Sequence, residues 1–324
     1  MIDEEIVTLA RKVNPKVEPI DITLLQGGYS SQAYKITIEN SKSFVLLVER
    51  TGAVGTVNYG HAYIVLKLLK NHNYQYAPEP IWLDDDHQSM AMSYFDGTAS
   101  DKFDFSNTNT KELAIKVVDA LLDTADITLD EYNELAKQFN VTGNPIQTTQ
   151  EAAQKYGVEW LEVVKQSCPD KDIIDWLEPK IDMSVQLAEK IGNHKPTFGH
   201  GDPSNPNILV KQNGNFMLID WDSSKFHTSG PESFVSYTTH LTDFMGPYRE
   251  VLTNHVANRL NISEGEFASR VRDFRRCNEV FDVNWAAMMM AKVNSGEAKG
   301  DISEFRSIVH ERVKLYERDF GQST

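Results

Sequence analysis

The period of the hydrophobic positions changes once along the chain. Up to about residue 95 they fall in short β-rich runs, Ile22–Leu25, Ala33–Ile38, Phe44–Val48, Ile81–Leu83 and Ser89–Phe95, separated by Gly, Asn, Asp and Ser. That is the pattern of strands joined by turns. One helix is predicted among them, from about Asn58 to Leu69, because Ala62, Val65, Leu66 and Leu69 recur at helical spacing. Beyond Asp96-Gly97 long amphipathic helices take over. Lys111–Asp123 repeats Leu113, Ile115, Val118, Leu121 and Leu122, and Thr128-Leu129-Asp130-Glu131 reads as a capping box opening a helix with Tyr132, Leu135, Ala136 and Phe139 on one side. Ile181–Ile191 stops at Gly192-Asn193, and a last helix from Ile302 to about Phe320 buries Phe305, Ile308, Val309, Val313 and Tyr316. The expected class is α+β, with a small β-rich lobe over residues 1–95 and a larger, mainly helical lobe over residues 96–324.

Composition narrows the function classes. With 324 residues, 40% hydrophobic, 24% charged, 18 Gly and 12 Pro, the chain is an ordinary globular protein rather than a disordered or collagen-like one. Acidic residues outnumber basic ones by 47 to 32, a formal charge of -15, which opposes partners held through phosphate-backbone charge. Nucleic acid and anionic membrane are therefore not expected as partners. The longest apolar runs, such as Phe44-Val45-Leu46-Leu47-Val48, are far shorter than the roughly 18 residues of a membrane span, and the acidic start Met1-Ile2-Asp3-Glu4-Glu5 does not read as a signal peptide. A cytoplasmic location is expected. Cys168 and Cys277 form no Cys-x-x-Cys pair and predict neither a disulfide framework nor a zinc site.

Candidate chemistry concentrates in Phe198-Gly199-His200-Gly201-Asp202-Pro203-Ser204-Asn205-Pro206-Asn207 and the two apolar runs that follow, Ile208-Leu209-Val210 and Phe216-Met217-Leu218-Ile219-Asp220-Trp221-Asp222. Asn213-Gly214 between them predicts a hairpin with a two-residue type I′ loop. In that register Gln212 faces Asn215 and, counting outward, Asn207 faces Asp220. Opposed side chains share a face about 5 Å apart, so an amide oxygen and a carboxylate would converge at the open end. Such a pair suits Mg²⁺, which takes one or two protein oxygens and leaves its other positions to phosphates and water. Asp202, five residues before Asn207, would sit beside the same ion. An aspartate there can accept the proton of an attacking hydroxyl and align it with a phosphate.

His200-Gly201-Asp202 with Asn207, and Ile219-Asp220-Trp221-Asp222, resemble the paired motifs of the aminoglycoside phosphotransferase and choline kinase-like family, relatives of protein kinases. The resemblance extends over the whole chain in lobe order and length, and is most specific in this motif pair. It implies a bilobal protein kinase-like fold, Asp202 as catalytic base, Asn207 and Asp220 as magnesium ligands and His200 as an organiser of the loop.

The β-rich lobe carries a weaker signal. Leu25-Gln26-Gly27-Gly28-Tyr29-Ser30-Ser31 joins two strands, so the amides of Gly27, Gly28, Ser30 and Ser31 would cap nucleotide phosphates; a plain Gly-Gly hairpin loop is the competing reading. Met92-Ser93-Tyr94 resembles the interlobe hinge whose backbone pairs with adenine. Two positions depart from the family. The basic residue that it carries on the third strand falls on Leu47, and the helix glutamate that pairs with it falls on His61. Lys35 on the preceding strand, or Arg50 just beyond the third, is a candidate to reach the phosphates instead; a solvated strand lysine is the competing reading of Lys35. Asp84-Asp85-Asp86 reads as an exposed hairpin turn rather than a metal cluster, and Met288-Met289-Met290 beside Trp285 as core or pocket packing.

The expectation is thus a phosphotransferase using ATP and Mg²⁺ to modify a hydroxyl of a small molecule, aminoglycoside-, choline- or sugar-like. An acidic chain suits a cationic acceptor, and its pocket is expected among the loops after Asp222 and the helices around Asp243, Tyr248 and Trp285. The alternative is a non-catalytic nucleotide-binding or regulatory protein that keeps the fold, favoured by Leu47 and His61 and opposed by Asp202, Asn207 and Asp220.

Overall fold

In a computed structural model the described residues are 4–15, 19–25, 31–39, 42–49, 59–191 and 194–321. Chain order runs α1 (Glu4–Val13), β1 (Pro19–Leu25), β2 (Ser31–Ile38), β3 (Phe44–Glu49), α2 (Tyr59–Asn71), β4 (Pro80–Leu83), β5 (Ser89–Ser93), β6 (Thr98–Ala99), α3 (Thr110–Leu122), α4 (Leu129–Gln138), β7 (Ile146–Gln147), α5 (Thr149–Ala153), α6 (Trp160–Ser167), α7 (Lys171–Ile191), β8 (Thr197–Gly199), β9 (Ile208–Val210), β10 (Phe216–Leu218), β11 (Lys225–His227), α8 (Pro231–Leu241), α9 (Arg249–Arg259), α10 (Glu264–Ser295) and α11 (Ile302–Phe320). The chain forms two compact units, one of residues 1–109, 123–144 and 200–224, the other of residues 110–122, 145–199 and 225–324.

The first unit is built on a five-stranded antiparallel sheet in the order β1-β2-β3-β5-β4. Ile36, Ile38, Phe44, Leu46 and Ala91 form an apolar face that packs on Ile6, Leu9 and Ala10 of α1. The sequence reading had no helix there, although Ile6, Leu9, Ala10 and Val13 recur at helical spacing. Strand register places Lys35 opposite Val45 and Val45 opposite Met92, while Ala33 faces Leu47 and Leu47 faces Met90. Paired residues share a face, so these two rows lie on the side away from α1. Asp84–Asp86 form the expected turn between β4 and β5, with the His87 amide donating to the Asp84 carbonyl and the Asp84 amide to that of Ser89. The capping box is also present: Thr128 accepts from the Glu131 amide at 3.3 Å and Glu131 accepts from the Thr128 amide at 2.8 Å.

The same unit contains the β9–β10 hairpin, because β9 pairs with β6 (Thr98 with Val210, Ala99 with Leu209) and the Leu218 amide donates to the Tyr76 carbonyl at 2.7 Å. These backbone bonds tie the 200–224 segment to the chain that follows α2 and β5.

The second unit is mostly helical and centres on α10. Val280, Val283, Ala286, Ala287 and Met288-Met289-Met290 pack against Leu177 and Ile181 of α7 and Phe305 and Val309 of α11, which makes the methionine run core. Helix α7 extends beyond the expected Ile181–Ile191 back to Lys171, through Pro179. Among the described residues no helix is long and apolar enough to cross a membrane.

Candidate active site

The hairpin that carries the site closes differently from the expected type I′ loop. Val210 pairs with Phe216, Leu209 with Met217 and Ile208 with Leu218. At the tip the Lys211 amide donates to the Asn215 carbonyl at 2.8 Å and the Gly214 amide to the Lys211 carbonyl at 2.9 Å, so the loop is Gln212–Gly214. A type I′ turn needs positive φ at both Asn213 and Gly214. Only Gly214 has it, at +80°, while the Asn213 side chain accepts from the Asn215 amide at 3.0 Å. That is a three-residue loop with glycine in the left-handed position. The register is thereby one residue off the expected one, and Asn207 bonds across to Ile219, whose amide donates to the Asn207 carbonyl at 2.9 Å. In a continuing strand this slip would send the Asp220 side chain to the other face. Instead the chain turns left-handed at Asp220, with φ 64° and ψ 58°, a conformation that aspartate tolerates better than most residues. The turn re-aims the carboxylate, and the charges of Asp222 and Asp202 act on Asp220 there.

The loop preceding the hairpin is held by a neutral histidine. Nε2 of fully buried His200 donates to the Ile219 carbonyl at 2.9 Å, and Nδ1 accepts from the Asp202 amide at 3.3 Å. Burial pushes its pKa down to about 4. The ring packs on Trp221 at 4.3 Å between centroids, and Trp221 donates Nε1–H to the Leu218 carbonyl at 2.7 Å. Gly201 is required here on two counts: its φ is +85°, and a Cβ would stand 2.1 Å from the Ser223 carbonyl oxygen. Asn207 Nδ2 donates to the Asp202 carbonyl and to Asp202 Oδ2, both at 3.0 Å, and to Ser204 Oγ at 3.3 Å. With its donor end committed to the loop, the amide turns Oδ1 the other way.

The electrostatics of this cluster set it apart from the salt-bridged carboxylates elsewhere. Asp220 is open to solvent at its surface yet crowded by protein, and its pKa is raised well above the ordinary carboxylate range by desolvation, by the neighbouring Asp222 and by Asp202. Among the described residues no cation pairs with Asp220 or Asp222, and no group of three His, Cys, Asp or Glu is arranged to hold a metal by itself. An ion that takes one carboxylate and one amide oxygen from the protein and the rest from phosphate and water fits such a donor set. A site that needed an all-protein cage would not.

Of the other expected residues, Gly27, Gly28, Ser30 and Arg50 lie outside the described residues, while Ser31 opens β2 opposite Glu49. Lys35 shares the open face of the sheet with Leu47, but its Nζ sits 4.3 Å above the ring of Tyr94, whose hydroxyl donates to Asp96 at 3.2 Å. Met92 is a buried strand residue opposite Val45. Buried Tyr59, in the first turn of α2, was not singled out from sequence. Its hydroxyl pKa is raised chiefly by burial, with Asp222, Glu49 and Asp220 adding to the shift. In the helical unit, Asp243 is exposed, the Tyr248 hydroxyl lies 2.6 Å from Thr110 Oγ1, and Trp285 packs edge-on against Phe305 in the core around α10.

The fold is the kinase-like α+β architecture. The chain superposes on a choline/ethanolamine kinase family protein from Mesorhizobium loti with a TM-score of 0.69 at 13% identity, covering 100% of this chain and 96% of that one. For the choline kinase LicA from Streptococcus pneumoniae the TM-score is 0.66 at 17% identity, covering 98% and 100%. For a spectinomycin phosphotransferase in complex with ADP and spectinomycin it is 0.66 at 16% identity, covering 98% of each chain. By sequence, residues 21–227 match the phosphotransferase enzyme family, and the chain belongs to it. A search of the curated proteins by sequence finds no match.

Proposed function

We propose that this protein transfers the γ-phosphoryl group of ATP to a hydroxyl of a small molecule, with residues 1–95 forming the nucleotide side and residues 96–324 the acceptor side. The observation that carries the reading is that Asp202, Asn207 and Asp220 lie in one compact unit, with Asn207 bonded to the Asp202 carboxylate and Asp220 raised in pKa by burial and by its carboxylate neighbours. Asp202 accepts the acceptor's hydroxyl proton; Asn207, bonded to its carboxylate, fixes its rotamer. Asn207 Oδ1 and Asp220 would hold Mg²⁺, which neutralises charge on the transferring phosphoryl group when bound. His200 orients the loop through backbone bonds and stays uncharged. Gly27, Gly28, Ser30 and Ser31 would cover the phosphates, and Met92 and Tyr94 would border the base.

Lys35 is assigned to the phosphates on the strength of its place on the same sheet face as Leu47, one row away. It must leave the Tyr94 ring to reach them. The acceptor is expected to be aminoglycoside-, choline- or sugar-like and cationic, and the compartment cytoplasmic. The deciding experiment is thermal stabilisation by MgATP and MgADP, followed by ADP release against a panel of amines, sugars and amino alcohols. Stabilisation and acceptor-dependent ADP release are expected. Absence of any nucleotide response at millimolar concentration would replace this reading by a regulatory protein that keeps the fold.

A further inference from the structure

Helix α2 packs on the turn beyond Asp220, and one of its side chains bonds to the backbone there. His61 is buried, with Nε2 2.7 Å from the carbonyl oxygen of Ser224 and Nδ1 2.7 Å from the hydroxyl of Tyr132. A carbonyl oxygen only accepts, so Nε2 carries the proton and Nδ1 accepts from the tyrosine. Ser224 is bonded on its other side as well: Oγ donates to the His200 carbonyl at 3.1 Å. One residue just past Asp220-Trp221-Asp222 is thus tied by its backbone to α2 and by its side chain to the loop that bears Asp202. The close approach of Gly201 to the Ser223 carbonyl leaves this turn little room to shift towards the loop.

We infer that His61 is a positioning residue for Asp220: through the Ser224 carbonyl it fixes the left-handed turn at Asp220 on which the direction of that carboxylate depends. The inference rests on the proposed role of Asp220 as a magnesium ligand. Leu47 leaves α2 without a basic partner on β3, and a neutral hydrogen bond to the backbone ties the helix to the site in its stead. A glutamate at position 61 would oppose the tie, since it would bring a carboxylate oxygen against a carbonyl oxygen.

The test compares His61→Gln, His61→Ala and His61→Glu. The magnesium concentration for half-maximal thermal stabilisation by ADP should rise roughly 2- to 12-fold in His61→Ala, the worth of one buried hydrogen bond. It should rise less in His61→Gln, whose amide can still donate, and more in His61→Glu. A fourth variant, His61→Leu, keeps the bulk without a donor or a charge, so a residue that only fills space would tolerate Gln and Leu equally; equal behaviour of these two variants overturns the inference even if His61→Ala does not fold. In turnover, KM for MgATP should rise more than kcat falls. Hydrogen exchange of residues 221–224 in the nucleotide-free protein should accelerate in His61→Glu relative to His61→Gln, whatever chemistry the site performs, and unchanged exchange overturns the inference. A wild-type protein that ignores MgADP overturns the proposed function instead.

Discussion

Glu279 in the helical unit and Asp220 beside the catalytic loop are both carboxylates crowded by protein, and they are treated in opposite ways. Glu279 has His240 Nδ1 at 3.4 Å and Arg275 at 3.3 Å, while Asp282 takes the other ring nitrogen of His240 at 2.6 Å and Asp319 takes Arg275. Burial works to raise the pKa of Glu279, but the bond to His240 and the charges of His240, Arg275 and Arg312 win, and it is lowered. His240 is raised against its own burial by Asp282 and Glu279. Asp220 has carboxylate neighbours, and its pKa goes up. The histidines near it, His61 and His200, bind backbone carbonyls rather than carboxylates. Cations meet Glu279 from two sides, whereas among the described residues none pairs with Asp220. A carboxylate whose pKa is raised by burial and by like-charged neighbours marks a candidate functional site.

The largest effect should come from Asp202→Asn. It keeps the hydrogen-bonding shape and removes the base, so turnover should fall about 10²- to 10⁴-fold with MgADP stabilisation retained. Full activity would place the chemistry elsewhere. Next is Glu279→Ala, which removes the shared buried partner of His240 and Arg275 but leaves each its second carboxylate, and should cost about 1–3 kcal/mol in urea unfolding. MgADP should still raise the melting temperature of whatever folded protein remains. If Glu279→Ala were neutral while Asp220→Asn strongly destabilised the metal-free protein, the contrast between the two units would be reversed.

The pH dependence tests the neutral histidines. His200 and His227 are both pushed down to about 4, chiefly by burial. A depressed histidine binds its proton only in the unfolded chain at intermediate pH, so its stabilising contribution is complete above about 6.5 and is lost as pH falls towards 4. Asp220, shifted upward, has the opposite sign: its contribution is present at low pH and lost as pH rises through its folded value. In an Asp220→Asn background, unfolding free energy should therefore fall between pH 6.5 and pH 4 by up to about 1.4 kcal/mol per pH unit for each histidine. A flat profile would mean that these rings are protonated in the fold. The smallest effect is expected for Lys35→Met. If the lysine leaves Tyr94 for the phosphates, MgATP affinity should drop roughly 10-fold or more, as for a lost charge-assisted bond; if it stays over the ring, the change is at most about fivefold.

Much of this molecule was legible in its sequence, and the reason is local. The runs Ala33–Ile38 and Phe44–Val48, the Thr128 capping box and the 302–320 helix carry their pattern within a few turns of chain, and the structure has them at nearly the same bounds. The His200–Asn207 loop and the Asp220-Trp221-Asp222 segment were legible because a turn and a hairpin bring them together over a short stretch. Helix α1 was missed, and α10 was expected only as a helix around Trp285 without its bounds, for different reasons. The first hides its spacing in a short terminal stretch, and the second is buried on so many sides at Val280–Ala291 that no single apolar stripe stands out.

What only the tertiary structure decided are the choices between near-equal local options and the contacts across long separations. Asn213-Gly214 permits a two-residue or a three-residue loop at similar local cost, and the packing of β9 between β6 and β10 selects the latter. The direction of the Asp220 carboxylate follows from that slip and from the left-handed turn that corrects it. From sequence alone His61 was only a helix residue in the place of a glutamate. Its partner is a backbone carbonyl at residue 224, and a carbonyl is the same in every residue, so no side-chain pattern along the chain announces which one a histidine will meet.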